Sequence, residues 1–157
     1  MYKVIIGLEV HCELKTKSKN FSGAKNTYTH IPNINVCPPD LGLPGILPVV
    51  NKEACKKALK TAMALNCETP DEIIFDRKNY YYPDLPKGYQ ITQVTKPFGR
   101  NGHVSFYVNG EIKTVQIHQL HLEEDTASLE HCSNYSLIDY NRSGIPLMEI
   151  VTEPCIY

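Results

Sequence analysis

The chain has 157 residues, of which 42% are hydrophobic and 21% are charged, and its formal net charge is -1. That length is enough for one domain, and the hydrophobic content can form a packed core, which excludes an intrinsically disordered chain. The balance of 16 basic and 17 acidic residues excludes a strongly basic nucleic-acid-binding protein.

The cellular compartment is indicated by what the sequence lacks. Its six cysteines form no CxxC pair, and we expect free thiols without disulfides. No apolar run approaches the roughly 18 residues of a membrane span, and no secretory signal is recognised at the start. These features predict a cytoplasmic protein with no membrane association, or a protein of an organellar matrix if the source is eukaryotic.

The first predicted element is a β-strand over residues 4–14, in which apolar residues alternate with polar ones. Such alternation is typical of a strand with one buried face. The other face carries Glu9, His11 and Glu13, so that an imidazole lies between two carboxylates. For this triplet alone, a solvated strand face is the simpler interpretation.

A long loop and a helix follow the first strand. Residues 15–48 are rich in Asn, Pro and Gly, and loops of this length are often functional. A helix is predicted at about 51–65, because Asn51 can cap it and apolar residues recur at helical spacing.

The rest of the chain is dominated by strand signals. Asn109-Gly110 predicts a type I′ hairpin, and two more strands are expected at 136–141 and 147–152. One helix among many strands indicates an α+β fold made mainly of antiparallel sheet.

A histidine and three acidic residues lie in the run His121-Leu122-Glu123-Glu124-Asp125, directly after a strand-like segment. Such a run is usually a solvated turn, although strand ends often display functional side chains. Because side chains alternate along a strand, Glu123 and Asp125 share one side and Glu124 takes the other. We therefore expect only one or two of the three carboxylates in any one site.

Glu149 is the most informative single residue, because it lies in an apolar run without another charge. An unpaired buried carboxylate costs several kcal/mol, so it requires an arginine, a proton or a metal ion. Arg142 is a candidate partner, and a divalent cation is the alternative. A site with Glu9, Glu124 and Glu149 around His11 is rich in hard oxygen ligands, which suit Mg²⁺ or Mn²⁺ better than zinc.

A basic and aromatic stretch begins near residue 75 and offers groups that can bind phosphate and orient a substrate. A strand surface covered by tyrosines explains the same stretch without a site. The sequence has no phosphate-binding P-loop and no Rossmann fingerprint, so a nucleotide site must use another fold. The candidate residues are Lys78, Tyr81, Tyr82, Lys87, Gln90 and Gln93.

Long motifs in the chain resemble the B-subunit family of the aspartyl/glutamyl-tRNA(Asn/Gln) amidotransferase. The resemblance covers essentially the whole chain, with the motifs in the same order. They are VIIGLEVHCEL (4–14), GLPGILPVVN (42–51), FDRKNYYYPD (75–84), YQITQ (89–93), LHLEED (120–125) and DYNRSGIPLMEIV (139–151).

The resemblance implies an ATP-dependent ligase that amidates mischarged Glu-tRNA(Gln) or Asp-tRNA(Asn). The B subunit phosphorylates the side-chain carboxyl, and ammonia released from glutamine by the A subunit displaces the phosphate; the A and C subunits are the implied partners. It places Mg²⁺ and the catalytic groups at Glu9, His11, Glu124 and Glu149. It also places Lys78, Lys87, Gln90 and Gln93 along the ATP site or the ammonia exit.

The sequence departs from the family in two respects. Some members carry a structural zinc site, whose positions correspond here to Ser22, Ala24, Cys37 and Asp40; one thiol is left, so no zinc is expected. Members are also much longer. Residues 1–157 are therefore expected to be the N-terminal portion of the catalytic domain, without a tail domain and inactive alone.

Two other interpretations stay open from the residues themselves. One is a metal-dependent hydrolase that uses Glu9, His11 and Glu149 with zinc-bound water and acts without ATP. The other is a non-catalytic binding or assembly module with acidic clusters on its surface, which exposure of Glu149 to solvent would favour.

Overall fold

A computed structural model describes residues 2–156 of the chain. It combines one α-helix with antiparallel strands within these residues, which confirms the predicted α+β class. The elements in chain order are β1 (Glu9–Glu13), a 3₁₀ helix (Pro38–Leu41), α1 (Lys52–Ala64), β2 (Ile74–Asn79), β3 (Tyr89–Lys96), β4 (Gly99–Val108), β5 (Glu111–Glu124), β6 (Ser128–His131), β7 (Ser136–Asp139) and β8 (Pro146–Thr152).

The main sheet has four strands in the order β1-β8-β5-β4, and each neighbouring pair is antiparallel. β4 and β5 form the predicted hairpin. Its turn residues, Asn109 and Gly110, have φ values of 51° and 83°, and a type I′ turn requires positive φ at both. The strands expected at 136–141 and 147–152 are β7 and β8.

The helix α1 covers one face of the main sheet, and its bounds confirm the prediction. Asn51 caps it, because its Oδ1 accepts hydrogen bonds from the backbone N–H groups of Glu53 (2.9 Å) and Ala54 (3.3 Å). The buried helix residues are alanines, whose small side chains let the helix lie close to the sheet. The core consists of Leu14, Ala54, Ala58, Ala62, Phe98, Leu120, Leu122 and Met148.

The strand β1 differs from its prediction in length and in burial. Its pairing covers only Glu9–Glu13, and all five residues are exposed. The apolar face is exposed as well, since Leu8 and Val10 keep 47% and 46% of their accessible surface. The reason is that α1 packs against β4 and β5, whereas β1 lies at the opposite edge of the sheet. Only Leu14, just beyond the strand, reaches the core.

Two segments outside the main sheet converge on the end of β5. The β2–β3 ribbon is held there because the Gln93 side-chain oxygen accepts a hydrogen bond from Leu122 N (3.0 Å), and Gln90 Nε2 donates to the Glu124 carbonyl (2.8 Å). From the long loop, Asn20 Nδ2 donates to the carbonyl of Glu123 (3.0 Å). These bonds fix the backbone of Glu123 and Glu124.

Two further features concern the chain as a whole. All six cysteines are free. Among residues 2–156, no helix has both the length and the apolar character needed to cross a membrane.

Candidate metal centre

A histidine, a glutamate and a second histidine form one row across three strands of the main sheet. The antiparallel register pairs His11 of β1 with Glu149 of β8, and pairs Glu149 with His121 of β5. Directly paired residues point to the same face of a sheet. As a result, Nε2 of each imidazole lies 3.3 Å from Oε2 of Glu149.

Glu123 completes this cluster from β5. It lies two residues beyond His121 and therefore on the same face of the sheet. Its Oε1 is 3.9 Å from Nε2 of His11, and its Oε2 is 3.4 Å from Nε2 of His121. One ligand atom from each of His11, Glu123 and Glu149 lies within 4.8 Å of the others.

The chemistry of this cluster fits a hard divalent cation. The side chains of Glu123 and Glu149 keep only 7% and 15% exposure, whereas His11 is half exposed. Two carboxylates this close repel one another unless a cation or a proton lies between them. Two oxygen ligands and one imidazole, open to solvent at His11, suit a Mg²⁺ or Mn²⁺ ion that keeps several waters.

Glu124 follows Glu123 directly, but it lies on the other face of β5, as alternation predicts. Its Oε1 accepts hydrogen bonds from Lys87 Nζ and from Ile91 N (3.1 Å). Burial raises the pKa of the Glu124 carboxyl, and the ion pair with Lys87 opposes that rise. The carboxylate is thus neutralised by a lysine. The ligand role predicted for Glu124 is untested, and the geometry favours Glu123 in that role.

A cleft of about 410 Å³ opens beside the metal centre, and both Glu123 and Glu124 line it. Its other lining residues include Glu13 and Asp125, so four carboxylates border one cavity. Burial raises the pKa of the Asp125 carboxyl; Arg142 opposes this rise and Glu13 adds to it. The complete lining is His11, Glu13, Gln90, Glu123, Glu124, Asp125, Thr126 and Leu147.

Glu9 lies on the same face of β1 as His11 but is two pairing positions farther along the strand. The register pairs it with Val151 of β8, and it is exposed. The structure therefore brings His11 and Glu149 together with Glu123, and leaves Glu9 beside this group. Its predicted role as a ligand stays a prediction.

The predicted basic and amide residues occupy different places around the ribbon. Lys78 is exposed on β2 and pairs with Gln90 of β3, which lines the cleft. Lys87 forms an ion pair with Glu124, which lines the cleft. Gln93 is 1% exposed and bonds to backbone groups of β2, β3 and β5, so it holds the ribbon in place. Roles of these four residues in binding nucleotide or ammonia stay predictions.

Arg142 does not partner Glu149, so that interpretation of the apolar run is wrong. Its Nε lies 3.6 Å from Asp125 Oδ1 and donates to the carbonyl of Thr126 (2.9 Å). The turn before β8 directs Arg142 to the connection after β5, whereas Glu149 faces the two histidines across the sheet. The low exposure of Glu149 also argues against a purely surface role for the acidic clusters.

One of the positions compared with a zinc motif, Asp40, takes part in a buried ion pair. Asp40 Oδ2 accepts a hydrogen bond from Cys37 N (2.8 Å) and lies 3.7 Å from Lys19 Nζ. Burial lowers the pKa of Lys19, and the Asp40 carboxylate opposes that change. The Asp40 carboxylate therefore balances a fully buried lysine.

Sequence reasoning did not assign three residues of this cluster, Glu123, His121 and Thr92, and it named Glu124 from the acidic run instead of Glu123. The strand pattern could have predicted His121, because a residue two positions before Glu123 lies on the same face of the strand. Thr92 of β3 donates a hydrogen bond from its hydroxyl to Glu123 Oε2 (3.2 Å). No local signal marks Thr92, since its contact depends on how the β2–β3 ribbon packs against β5.

Comparison with known proteins gives the same family throughout. The chain is 54% identical to the B subunit of the aspartyl/glutamyl-tRNA(Asn/Gln) amidotransferase from Geobacillus kaustophilus over 156 residues, which are 99% of this chain and 33% of that protein. It is 56% identical to the protein of the same name from Oceanobacillus iheyensis over 154 residues, which are 98% of this chain and 32% of that protein.

A third bacterial relative matches over the same part of the chain. The protein of the same name from Persephonella marina is 50% identical over 155 residues, which are 99% of this chain and 33% of that protein. The chain spans about a third of the length of these curated relatives. Residues 4–157, with all the residues of the metal centre, match the family model described as the GatB/GatE catalytic domain. The chain therefore belongs to the GatB/GatE catalytic domain family.

Proposed function

We propose that residues 1–157 are the N-terminal portion of the catalytic domain in the B subunit of a tRNA-dependent amidotransferase. The complete enzyme transfers the γ-phosphoryl group of ATP to the side-chain carboxylate of Glu-tRNA(Gln) or Asp-tRNA(Asn), with release of ADP. Ammonia from glutamine then displaces inorganic phosphate and leaves the amide on the tRNA. The convergence of His11, Glu123 and Glu149 beside one cleft, which His11 and Glu123 line, carries this proposal, and the names of the relatives support it.

The charge of the cleft determines what can enter it. Glu13 and Glu123 border it, and their negative charge repels the phosphates of ATP. His11, Glu123 and Glu149 are the residues that hold Mg²⁺ in this proposal. Mg²⁺ supplies charge neutralisation for the phosphates and for the phosphoryl group during transfer. Glu9, two residues from His11 along β1, is a further candidate ligand of the bound ion.

The remaining polar residues of the cleft position the substrates. The ammonium group of Lys87 contacts Glu124 and, when a nucleotide is bound, also offers its positive charge to a phosphate group. Gln90 offers a side-chain amide at the same wall, and Lys78 lies opposite it on β2. These residues, with Gln93 behind them, line the nucleotide site or the exit for ammonia.

The proposed partners follow from the same reaction. The A subunit supplies ammonia, the C subunit helps to complete the assembly, and the mischarged tRNA supplies the carboxylate. The net charge of -1 gives residues 1–157 no general electrostatic attraction for tRNA. Other parts of the longer protein therefore bind the tRNA. A cytoplasmic location suits this substrate.

The test uses the chain within the complete B subunit, assembled with its A and C partners. Conversion of Glu-tRNA(Gln) to Gln-tRNA(Gln) is measured with ATP and with either glutamine or ammonium chloride. Amide formation is expected to require ATP. Glu149→Gln is expected to slow it by about 100-fold or more with both nitrogen donors, since a group that stabilises the developing charge is lost.

A matched control separates this effect from a general loss of charge. Glu111→Gln changes an exposed glutamate at the β4–β5 hairpin, and wild-type activity is expected. ATP-independent hydrolysis that requires zinc would favour the metal-dependent hydrolase. Wild-type activity of Glu149→Gln would contradict a role for this centre in the reaction.

A further inference from the structure

The two carboxylate oxygens of Glu123 have different surroundings. Oε2 accepts a hydrogen bond from the Thr92 hydroxyl (3.2 Å) and lies 3.4 Å from Nε2 of His121. Oε1 faces His11 Nε2, at 3.9 Å. One oxygen is therefore held by the protein, and the other is directed toward the ligand atoms of the centre.

The hydroxyl of Thr92 is held firmly in this position. Thr92 is 5% exposed, and the residues on each side of it along β3 are anchored to β5. Gln90 Nε2 donates to the Glu124 carbonyl, Ile91 N donates to the Glu124 carboxylate, and Gln93 Oε1 accepts from Leu122 N. The hydroxyl thus reaches Glu123 from a strand that cannot shift without breaking several buried hydrogen bonds.

His121 of β5 lies close to the same oxygen. Its Nε2 lies 3.3 Å from Glu149 Oε2 as well as 3.4 Å from Glu123 Oε2, and its Nδ1 lies 3.4 Å from Gln119 Nε2. Nε2 of His121 is thus within ion-pair distance of one oxygen of each carboxylate. Among the described residues, Thr92 is the one whose side chain donates a hydrogen bond to Glu123 Oε2.

We infer that Thr92 is a positioning residue that makes Glu123 a monodentate metal ligand through Oε1. This inference rests on the proposed function, because it requires the divalent cation at His11, Glu123 and Glu149. Donors behind a ligating carboxylate fix its orientation, and their loss typically weakens metal affinity by about 10–100-fold.

Two substitutions at position 92 separate the hydroxyl from the shape of the side chain. Thr92→Val keeps the volume and removes the donor, whereas Thr92→Ser keeps the donor. Mn²⁺ binding to the 157-residue chain is measured by the electron paramagnetic resonance signal of free Mn²⁺. Thr92→Val is expected to weaken binding by about 10–100-fold, and Thr92→Ser is expected to restore it to within about threefold of wild type.

A spectroscopic measurement distinguishes positioning from simple stabilisation. Infrared difference spectra between the Mn²⁺-loaded and metal-free chain report the separation of the antisymmetric and symmetric carboxylate stretches, which is wide for monodentate and narrow for bidentate binding. The two carboxylate bands of Glu123 are identified as those absent in Glu123→Gln. In wild type and Thr92→Ser, these two bands are expected to be widely separated. In Thr92→Val that separation is expected to narrow, because both oxygens are free to bind.

The outcomes distinguish this inference from the proposed function. Mn²⁺ binding that Glu149→Gln abolishes, together with unchanged affinity and an unchanged infrared separation in Thr92→Val, overturns the role of Thr92 alone. A wild-type chain that binds no Mn²⁺ overturns the metal centre and the inference together. Thr92→Ala is the second variant if Thr92→Val does not fold, and a narrow separation in wild type contradicts the inference without any variant.

Discussion

Glu123 and Glu124 are adjacent in β5, yet one carboxylate faces two histidines and the other faces a lysine. The pleat of the strand produces this division, because neighbouring side chains point to opposite faces. Both carboxylates nonetheless border the same cleft at the end of the strand. One wall of the cleft thus offers a cation site, and another offers a carboxylate that Lys87 already neutralises.

Replacing Lys87 by methionine is expected to lower the free energy of unfolding by about 3 kcal/mol. The side chains of Lys87 and Glu124 are 8% and 2% exposed, so the change leaves a buried carboxylate without its counter-charge. The measurement is guanidinium denaturation of wild type, Lys87→Met, Glu124→Gln and the double variant. The double variant is expected to be more stable than the sum of the two changes indicates; strict additivity would show that the two residues do not interact.

Asp76 is expected to make stability depend on pH in the acid range. Hydrogen bonds from the backbone N–H groups of Thr95 and Val94, and from the Thr95 hydroxyl, lower the pKa of the Asp76 carboxyl below its ordinary 3.8. A carboxyl with a lowered pKa in the folded chain stabilises the fold above its unfolded pKa. That contribution is lost as the pH falls through the folded-state value.

The corresponding measurement compares wild type with Asp76→Asn by urea denaturation at several pH values. The difference in unfolding free energy is expected to be constant above about pH 5 and to shrink below about pH 3.8. Asp71→Asn, at an exposed position, serves as the control. A difference that stays constant down to about pH 2 would contradict the role assigned to these hydrogen bonds.

Asn51 is expected to stabilise the chain through two separable contributions. Its side-chain oxygen caps α1, and its Nδ2 donates to the carbonyls of Ser18 (3.0 Å) and Lys19 (3.2 Å) in the long loop. Asn51→Asp keeps the cap and loses the donor, whereas Asn51→Ala loses both. We expect Asn51→Ala to cost about 2 kcal/mol and Asn51→Asp about half of that, measured by thermal or chemical denaturation. Equal costs for the two variants would show that the cap contributes nothing.

Local signals in the sequence were sufficient for several elements of the fold. The Asn109-Gly110 turn and the helix capped by Asn51 each depend on backbone preferences of a few neighbouring residues, and both were predicted correctly. Alternation in β1 and β5 correctly placed His11 on one face and separated Glu123 from Glu124. The resemblance to the family was confirmed over residues 4–157.

Features that depend on long-range packing could not be predicted in this way. The apolar face of β1 is exposed because α1 covers the other edge of the sheet, which nothing in residues 4–14 indicates. The partner of Glu149 depends on the register of β8 against β1 and β5, so the nearby Arg142 was a misleading candidate. The contact of Thr92 with Glu123 requires the β2–β3 ribbon to pack against β5, and no sequence pattern predicts that packing.

The assignment of the metal centre to His11, Glu123 and Glu149 is tested most directly by Mn²⁺ affinity in two neighbouring variants. Glu123→Gln is expected to weaken binding by at least about 10-fold, because a ligand oxygen is lost. Glu124→Gln is expected to change it by no more than about threefold, because that carboxylate pairs with Lys87 on the other face. Loss of binding in Glu124→Gln with wild-type affinity in Glu123→Gln would contradict the assignment.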